Sequence, residues 1–389
     1  MHTTSRRHFL KNAAILSPVL TFLPSYLTAG KGSRLRIGFI GTGLWGQQYL
    51  DQALQSKNVD VRAISDTDPK AIRQSLQLFS KAGYSRPDIY EDTYETLLSR
   101  KDIDAVIIAT PWEQHYTIAK AAMLAGKHVA CGAIMGATLE EHMDIVRISE
   151  QTGRQYFTLD EYSYRRDLLA VTNMAKEGVF GELTSIRAGA RHDVLPAAHD
   201  DKATSYPVYP AAAAARMLGV KKGNTFVSLR VVKEKQQYVI NKPRSEKGPA
   251  RLVFTSGDVQ TIELTTQQGQ TLSLQMDAGQ DRPASTGFQV TGSQGTWMDL
   301  INSIYLKDQS PANQIWEAGK PHIEQYAEDG DGYALALHEF VNSVQQPVKG
   351  ELPVYAAAAN SLIGPMATLS AQRGGATVQF PEFRNNPII

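Results

Sequence analysis

Cysteine is almost missing from this chain of 389 residues: Cys131 stands alone, which excludes an internal disulfide and a cysteine-built zinc site. Net charge is missing too. Lys and Arg number 40 against 39 Asp and Glu, so the chain has no basic footprint for nucleic acid. Long apolar runs are also absent. The nearest, residues 13–27, is broken by Pro18 and Pro24 and is too short for a retained membrane helix. No internal repeat is present, and no metal site is expected. What remains is an ordinary globular composition, 42% hydrophobic, at a length that suits two domains.

Residues 1–30 read as a leader rather than as part of the fold. Ser5-Arg6-Arg7-His8-Phe9-Leu10-Lys11 resembles a twin-arginine export signal, and Leu27-Thr28-Ala29 offers small residues for cleavage. The plain alternative is a cytoplasmic tail with a chance arginine pair. With no cysteine at the cleavage site, neither a lipid anchor nor a stable membrane anchor is expected, and the expected location is periplasmic.

From 35 to 159, strand and helix signals alternate. Runs 35–40 and 59–65 read as buried strands, and 44–56 has helical periodicity. Asp68 and Pro69 open the next helix as N-cap and first residue, and Gly83 closes it. Segment 105–109 (AVIIA) is wholly apolar, as a central parallel strand is. A helix over 113–124, a strand over 128–131 and a helix opened by the capping box Thr138-Leu139-Glu140-Glu141 follow. Beyond 159 the pattern changes to a helix over 164–177, a strand over 183–192 and a meander of strands over 250–298. Two helices, 333–344 and 354–371, come last, and the polar stretch 193–205 reads as a loop over the site. The expected class is α/β: a Rossmann domain over 31–159, then an α/β domain with an open, largely antiparallel sheet over 160–389.

Gly41-Thr42-Gly43-Leu44-Trp45-Gly46 matches the pattern G-x-G-x-x-G, following a strand and opening a helix. Gly41 allows the turn, Gly43 admits the pyrophosphate, and Gly46 lets the helix pack on the strand. The helix start, with the amides of Leu44 and Trp45, would hold the pyrophosphate at the positive end of the dipole. Asp66 stands about twenty residues beyond Gly46, suited to ribose hydroxyls and repellent to a 2′-phosphate. No arginine follows it in Ser65-Asp66-Thr67-Asp68, which favours NAD over NADP.

The mature chain resembles the Gfo/Idh/MocA oxidoreductases, and within them the branch containing glycoside hydrolase family 109. The segments that carry this are GFIGTGLWG at 38–46, ATPWEQH at 109–115, AGKHVAC at 125–131, YRRDLLAVTNMAKEGVFGEL at 164–183 and GNTFVSL at 223–229. The resemblance implies that Thr110, Pro111, Trp112 and His115 line the cofactor cleft and that the second domain's open sheet makes oligomer contacts. It also implies a sugar substrate and a cofactor that stays bound through oxidation, elimination, water addition and re-reduction. The family's Glu-Lys-Pro, commonly Glu-Val-Pro in the hydrolase branch, is replaced here by Gly132-Ala133-Ile134. The branch's Tyr-Pro-Thr-His-Gly becomes Tyr206-Pro207-Val208-Tyr209-Pro210, so Tyr209 stands where a histidine is expected.

Alcohol oxidation needs a positioned base. Tyr209 and Tyr164 are candidates, though an unperturbed phenol, with pKa about 10, is a poor base near neutrality. His192, paired with Asp193, is either that base or a strand-end histidine held by its neighbour. Asp160 and Glu161 end the sixth strand, where open sheets bind ligands, or they cap the following helix. Arg165 and Arg166 bind sugar hydroxyls or form surface ion pairs, Tyr206 belongs with the substrate residues, and Trp112 stacks on a ligand or packs its loop. Three readings stay open: an exported NAD-dependent carbohydrate oxidoreductase, a glycosidase using the oxidation–elimination cycle, or a non-catalytic subunit paired with an active homologue. A homo-oligomer or such a hetero-oligomer is expected.

Overall fold

The computed structural model describes residues 34–191, 208–221, 223–235, 258–277, 287–310, 316–327, 330–348 and 352–383. His192, Asp193, Tyr206, the loop expected over 193–205 and the leader expected over 1–30 lie outside the described residues.

The first sheet has six parallel strands: β1 (Leu35–Ile40), β2 (Val59–Ser65), β3 (Asp88–Tyr90), β4 (Ala105–Ile108), β5 (His128–Cys131) and β6 (Tyr156–Thr158). Their order is β3-β2-β1-β4-β5-β6, which puts a topological switch point between β1 and β4. β1 and β4 are central and covered on both faces, so neither alternates in hydropathy. Helices α1 (Leu44–Gln55) and α2 (Pro69–Lys81) cover one face. Helices α3 (Glu95–Leu98), α4 (His115–Leu124) and α5 (Leu139–Thr152) cover the other. Asp68 caps α2 by accepting from the Lys70 amide, and Thr138 and Glu141 form the reciprocal box on α5.

A 3₁₀ turn (Glu161–Tyr164) leads into α6 (Arg166–Lys176) and the second sheet. Its nine strands are β7 (Leu183–Arg191), β8 (Phe226–Lys235), β9 (Asp258–Thr266), β10 (Thr271–Asp277), β11 (Gln289–Gly292), β12 (Gly295–Met298), β13 (Ser303–Leu306), β14 (Glu317–Ala318) and β15 (Val378–Gln379). They run in the order β14-β13-β12-β11-β7-β10-β9-β8-β15, antiparallel except for the central β7–β10 pair. Helix α7 (Val208–Met217) lies under this sheet, against β7, β10, α6 and the 3₁₀ turn. Its run Ala211–Ala215 is buried throughout, because only methyl side chains let a helix be approached closely on every side.

Helices α8 (Lys320–Tyr326), α9 (Gly332–Gln345), α10 (Val354–Ser361) and α11 (Ile363–Gln372) complete the described chain. Although α9 and α10 follow strands β7 to β14 in sequence, they pack on the first sheet. Ala336, Leu337 and Phe340 join the α1 face, and Val354, Tyr355 and Ala358 join the α5 face. The single helix expected over 354–371 is broken at Leu362. Pro365 has no amide hydrogen to donate to the Ser361 carbonyl, so it sits in the first turn of a new helix. Among the described residues no helix is long and apolar enough to cross a membrane.

Candidate active site

The glycine turn lies at the carboxyl ends of β1 and β4. Gly41 has φ +86°, and a Cβ there would stand 2.6 Å from the Ala109 carbonyl group. A Cβ on Gly46 would stand 2.6 Å from the Gly41 oxygen, so the third glycine lets α1 close onto the turn. Around Gly43 the same construction meets nothing within 4 Å. Two glycines are thus required by protein backbone, and the middle one faces open space. The first intrahelical amide bond is Gln47 to the Gly43 carbonyl, 2.9 Å, leaving the amides before it pointing out of the helix end. Leu44, beside them, is 81% exposed.

Asp66, just past β2, has a second role that the motif does not reveal. Its carboxylate accepts from the Thr42 amide and hydroxyl (2.5 and 3.0 Å) and from the Asp68 amide (2.9 Å). It therefore holds the glycine turn against the end of β2 while standing where an adenosine ribose would lie.

Thr110, past β4, is half-buried, and its hydroxyl has no hydrogen-bond partner. Pro111 is exposed and Trp112 half-buried in the 3₁₀ turn Trp112–Gln114. His115 points inward. Its Nδ1 lies 2.6 Å from the Ile134 carbonyl oxygen and its Nε2 2.9 Å from that of Thr110, so both nitrogens donate and the ring is an imidazolium. Burial opposes that charge, but the neighbouring Cys131 sulfur and the two carbonyls favour it, and the pKa is raised to about 9. The cation ties the loop after β4 to the loop after β5. Gly132 fits between, since a Cβ there would meet His115 at 3.1 Å and Trp45 at 3.7 Å, while Ala133 beside it is half-buried. Beyond them the Met135 amide donates to Ser361 Oγ (2.8 Å), 2.7 Å from His142 Nε2. Burial lowers the His142 pKa to about 4, leaving that ring neutral.

Glu161 is the hub of the cleft beyond β6. Its carboxylate accepts from Trp45 Nε1 (3.4 Å) and Tyr49 hydroxyl (3.3 Å), and Tyr333 adds a further hydrogen bond. The rings of Trp45 and Tyr49 are 4.7 Å apart and those of Tyr49 and Tyr333 5.0 Å. Gly332 admits this packing, since a Cβ there would stand 2.6 Å from the Glu161 carbonyl oxygen. Tyr209, near the start of α7, approaches from the second sheet's side with its ring 6.2 Å from Tyr162. Burial and the Glu161 and Asp160 carboxylates push its phenol well above the ordinary range, so it donates rather than accepts a proton-linked bond.

The other expected residues separate into two places. Asp160 is buried and caps the 3₁₀ turn, accepting from the Tyr162 amide (3.1 Å) and the Ser163 hydroxyl; burial raises its pKa to about 7. Tyr164 does not bond to Glu161; its hydroxyl is committed to Glu339 and, at 3.2 Å, to Arg216. Arg165 is half-exposed, paired with Asp167 (2.6 Å) and bonded to the Tyr162 hydroxyl (3.1 Å), at the rim beside Tyr209. Sequence reasoning missed Tyr49 and Tyr333. The one local signal was Trp45 and Tyr49 at i, i+4, aromatic residues on one helix face just past the glycine turn. Among the described residues no cluster of His, Cys, Asp or Glu could hold a metal ion.

Comparison with known proteins separates the chain along the same lines. Residues 35–159 match the oxidoreductase family with an NAD-binding Rossmann fold, and 196–387 match the C-terminal domain of glycosyl hydrolase 109. A glycosyl hydrolase family 109 protein of Stenotrophomonas maltophilia (strain K279a) is 30% identical over 98% of this chain and 96% of its own length. The chain belongs to glycosyl hydrolase family 109. That places it among the Gfo/Idh/MocA oxidoreductases, with an NAD-binding first domain. An α-N-acetylgalactosaminidase of Tannerella forsythia is 29% identical over 93% of this chain and 89% of its own length. A solved NAD-binding oxidoreductase from Klebsiella pneumoniae shares the fold, with TM-score 0.67 at 17% identity over 90% of this chain and all of that one.

NAD fits the residues of this family 109 chain. Gly43 leaves room for a pyrophosphate beside outward-facing amides, Asp66 faces the ribose position, and the Thr110 hydroxyl is a buried polar atom in want of a partner.

Proposed function

We propose that this chain is an NAD-dependent, carbohydrate-acting enzyme that retains its cofactor, with glycoside cleavage as its net reaction. The observation that carries the reading is the hub at Glu161. There, side chains from the dinucleotide-binding part (Trp45, Tyr49) and from the family 109 part (Tyr333) bond one carboxylate beside the cradle, and Tyr209 of the family 109 part lies within reach of its charge. Bound NAD supplies reversible two-electron oxidation of a sugar carbon. Glu161 is placed to take the hydroxyl proton, because it is the cleft's own hydrogen-bond acceptor. Tyr209, kept protonated, donates a hydrogen bond to a sugar oxygen, and the rings of Trp45 and Tyr333 pack against the sugar face. Arg165 offers donors at the rim.

Neither a lysine at position 133 nor a histidine at 209 is needed on this account, since the carboxylate takes the base's part. Export through the twin-arginine route with NAD already bound belongs to the same proposal, as does assembly through the open face of the second sheet. The relatives in family 109, one of them an α-N-acetylgalactosaminidase, support the glycosidase form over a net oxidoreductase. Release of p-nitrophenol from p-nitrophenyl α-N-acetylgalactosaminide and its β- and galactoside counterparts tests it. Turnover by the full chain that is lost in Glu161→Gln is expected; no release from any of them, with NAD bound, overturns it.

A further inference from the structure

Tyr49 differs from the other side chains of the hub in being fully buried, whereas Trp45, Glu161, Tyr209 and Tyr333 are half-buried. A bound sugar therefore cannot touch it. It stands on α1 one turn beyond Trp45, with its ring between those of Trp45 (4.7 Å) and Tyr333 (5.0 Å). Packed on both sides, the ring is held in one place and carries its hydroxyl with it.

That hydroxyl lies 3.3 Å from Glu161 Oε2, and Trp45 Nε1 lies 3.4 Å from the same oxygen. Neither bond goes to Oε1. An ionised carboxylate has about four acceptor sites, two on each oxygen, so these two donors take up Oε2. A hydroxyl entering the cleft then meets Oε1. Tyr333 is a third donor to the carboxylate, and its half-buried ring can give way to that hydroxyl as the buried ring of Tyr49 cannot. Burial above all, with the Glu161 and Asp160 carboxylates beside it, pushes the Tyr49 phenol well above the ordinary range, which keeps it a donor. Both Oε2 donors stand on α1, whose start is the dinucleotide cradle, so one rigid helix sets the carboxylate relative to the cofactor.

We infer that Tyr49 is a positioning residue: with Trp45 it occupies Oε2 of Glu161 and so makes Oε1 the oxygen that takes the proton of the sugar hydroxyl. In that step the sugar's O–H bond breaks and one forms at Oε1, the electron pair staying on the sugar oxygen. The inference rests on Glu161 being the base of the proposed function.

Titration of the Glu161 carboxyl carbon tests it without turnover, by carbon-13 NMR of the full chain labelled in its glutamate side chains, the signal being assigned by its absence in Glu161→Gln. The ionisable groups acting on this carboxylate are Tyr49 on α1, Asp160 beside it, Tyr209 on α7 and Tyr333 on α9, and Asp160 is common to every variant compared. Tyr49→Phe keeps the ring and removes only the hydroxyl. It is expected to move the titration up by about half a pH unit, a modest shift because the bonds are long. Trp45→Phe moves it the same way and covers a folding failure in the first variant. In turnover, Tyr49→Phe lowers kcat about tenfold and leaves KM within about twofold, since Tyr49 reaches no substrate. A titration unmoved in both variants overturns the inference, as does full kcat in Tyr49→Phe beside an inactive Glu161→Gln. Turnover that survives in Glu161→Gln, or none in the wild-type chain, overturns the proposed function instead and takes the inference with it.

Discussion

The two ends of the dinucleotide cleft are built on different principles. At the pyrophosphate end, two glycines are fixed by backbone they cannot clear: a Cβ at either Gly41 or Gly46 would come within 2.6 Å of another peptide group. At the reacting end, Gly132-Ala133-Ile134 and Tyr209 depart from the family's pattern, and the chemistry is proposed for groups gathered from distant elements around Glu161. Holding a dinucleotide needs one close-packed geometry, so that end has little freedom. Positioning a proton acceptor needs only a carboxylate at the right place, which several arrangements provide.

The largest expected effect breaks the reacting end alone. Glu161→Gln lowers turnover roughly 10²–10⁴-fold while dinucleotide binding, read by fluorescence titration, is unchanged; equal loss in both would mean that the two ends are not separable. Next comes the holding end. Gly41→Ala adds a left-handed strain of about 1–2 kcal/mol and shifts the 109–110 backbone, so NAD retention falls roughly 100-fold and the melting temperature drops. Gly43→Ala, which meets no protein atom, weakens NAD binding without lowering the melting temperature. A lowered melting temperature in Gly43→Ala would refute the assignment of that face to the cofactor. Tyr209→His restores the hydrolase branch's residue and is expected to leave cleavage at pH 7 within about threefold, because Glu161 rather than position 209 takes the proton. A gain of about tenfold or more would show that the base belongs at position 209 and not at Glu161.

How much of this was legible in the sequence follows the same division. The cradle is local: six consecutive residues after one strand, and a carboxylate after the next, announce it without any tertiary knowledge. The hub is not local, because Trp45, Glu161, Tyr209 and Tyr333 come together only when α1, the 3₁₀ turn, α7 and α9 pack. Asp160 and Glu161 looked interchangeable as cap or ligand residue; the structure divides the roles, Asp160 capping the turn and Glu161 facing the cleft. Tyr164 stood beside Tyr209 as a candidate base. The 3₁₀ turn carries its hydroxyl round to Glu339 and Arg216 instead. The return of α9 and α10 to the first sheet was equally hidden, since an apolar helix face does not say which sheet it covers.

The smallest expected effect concerns pH, and it sharpens the link between the loops after β4 and β5. His115 has a folded pKa of about 9, above its unfolded value near 6.5, so its stabilisation is complete below about pH 6.5 and disappears as pH rises through 9. His142, with a folded pKa of about 4, works in the opposite sense: its contribution is present above about pH 6.5 and is lost as pH falls through 4. Urea unfolding from pH 4 to 10 should therefore peak near neutrality, and His115→Gln should flatten the alkaline limb. An alkaline limb unchanged in that variant would mean the ring is neutral.

The account rests on a cofactor held firmly enough to be part of the enzyme. Its most direct test is the nicotinamide content of the full-length protein, purified without added cofactor, dialysed exhaustively and measured by native mass spectrometry. About one NAD per chain is predicted, falling to none in Gly41→Ala. A wild-type chain that carries none after dialysis would contradict the central claim.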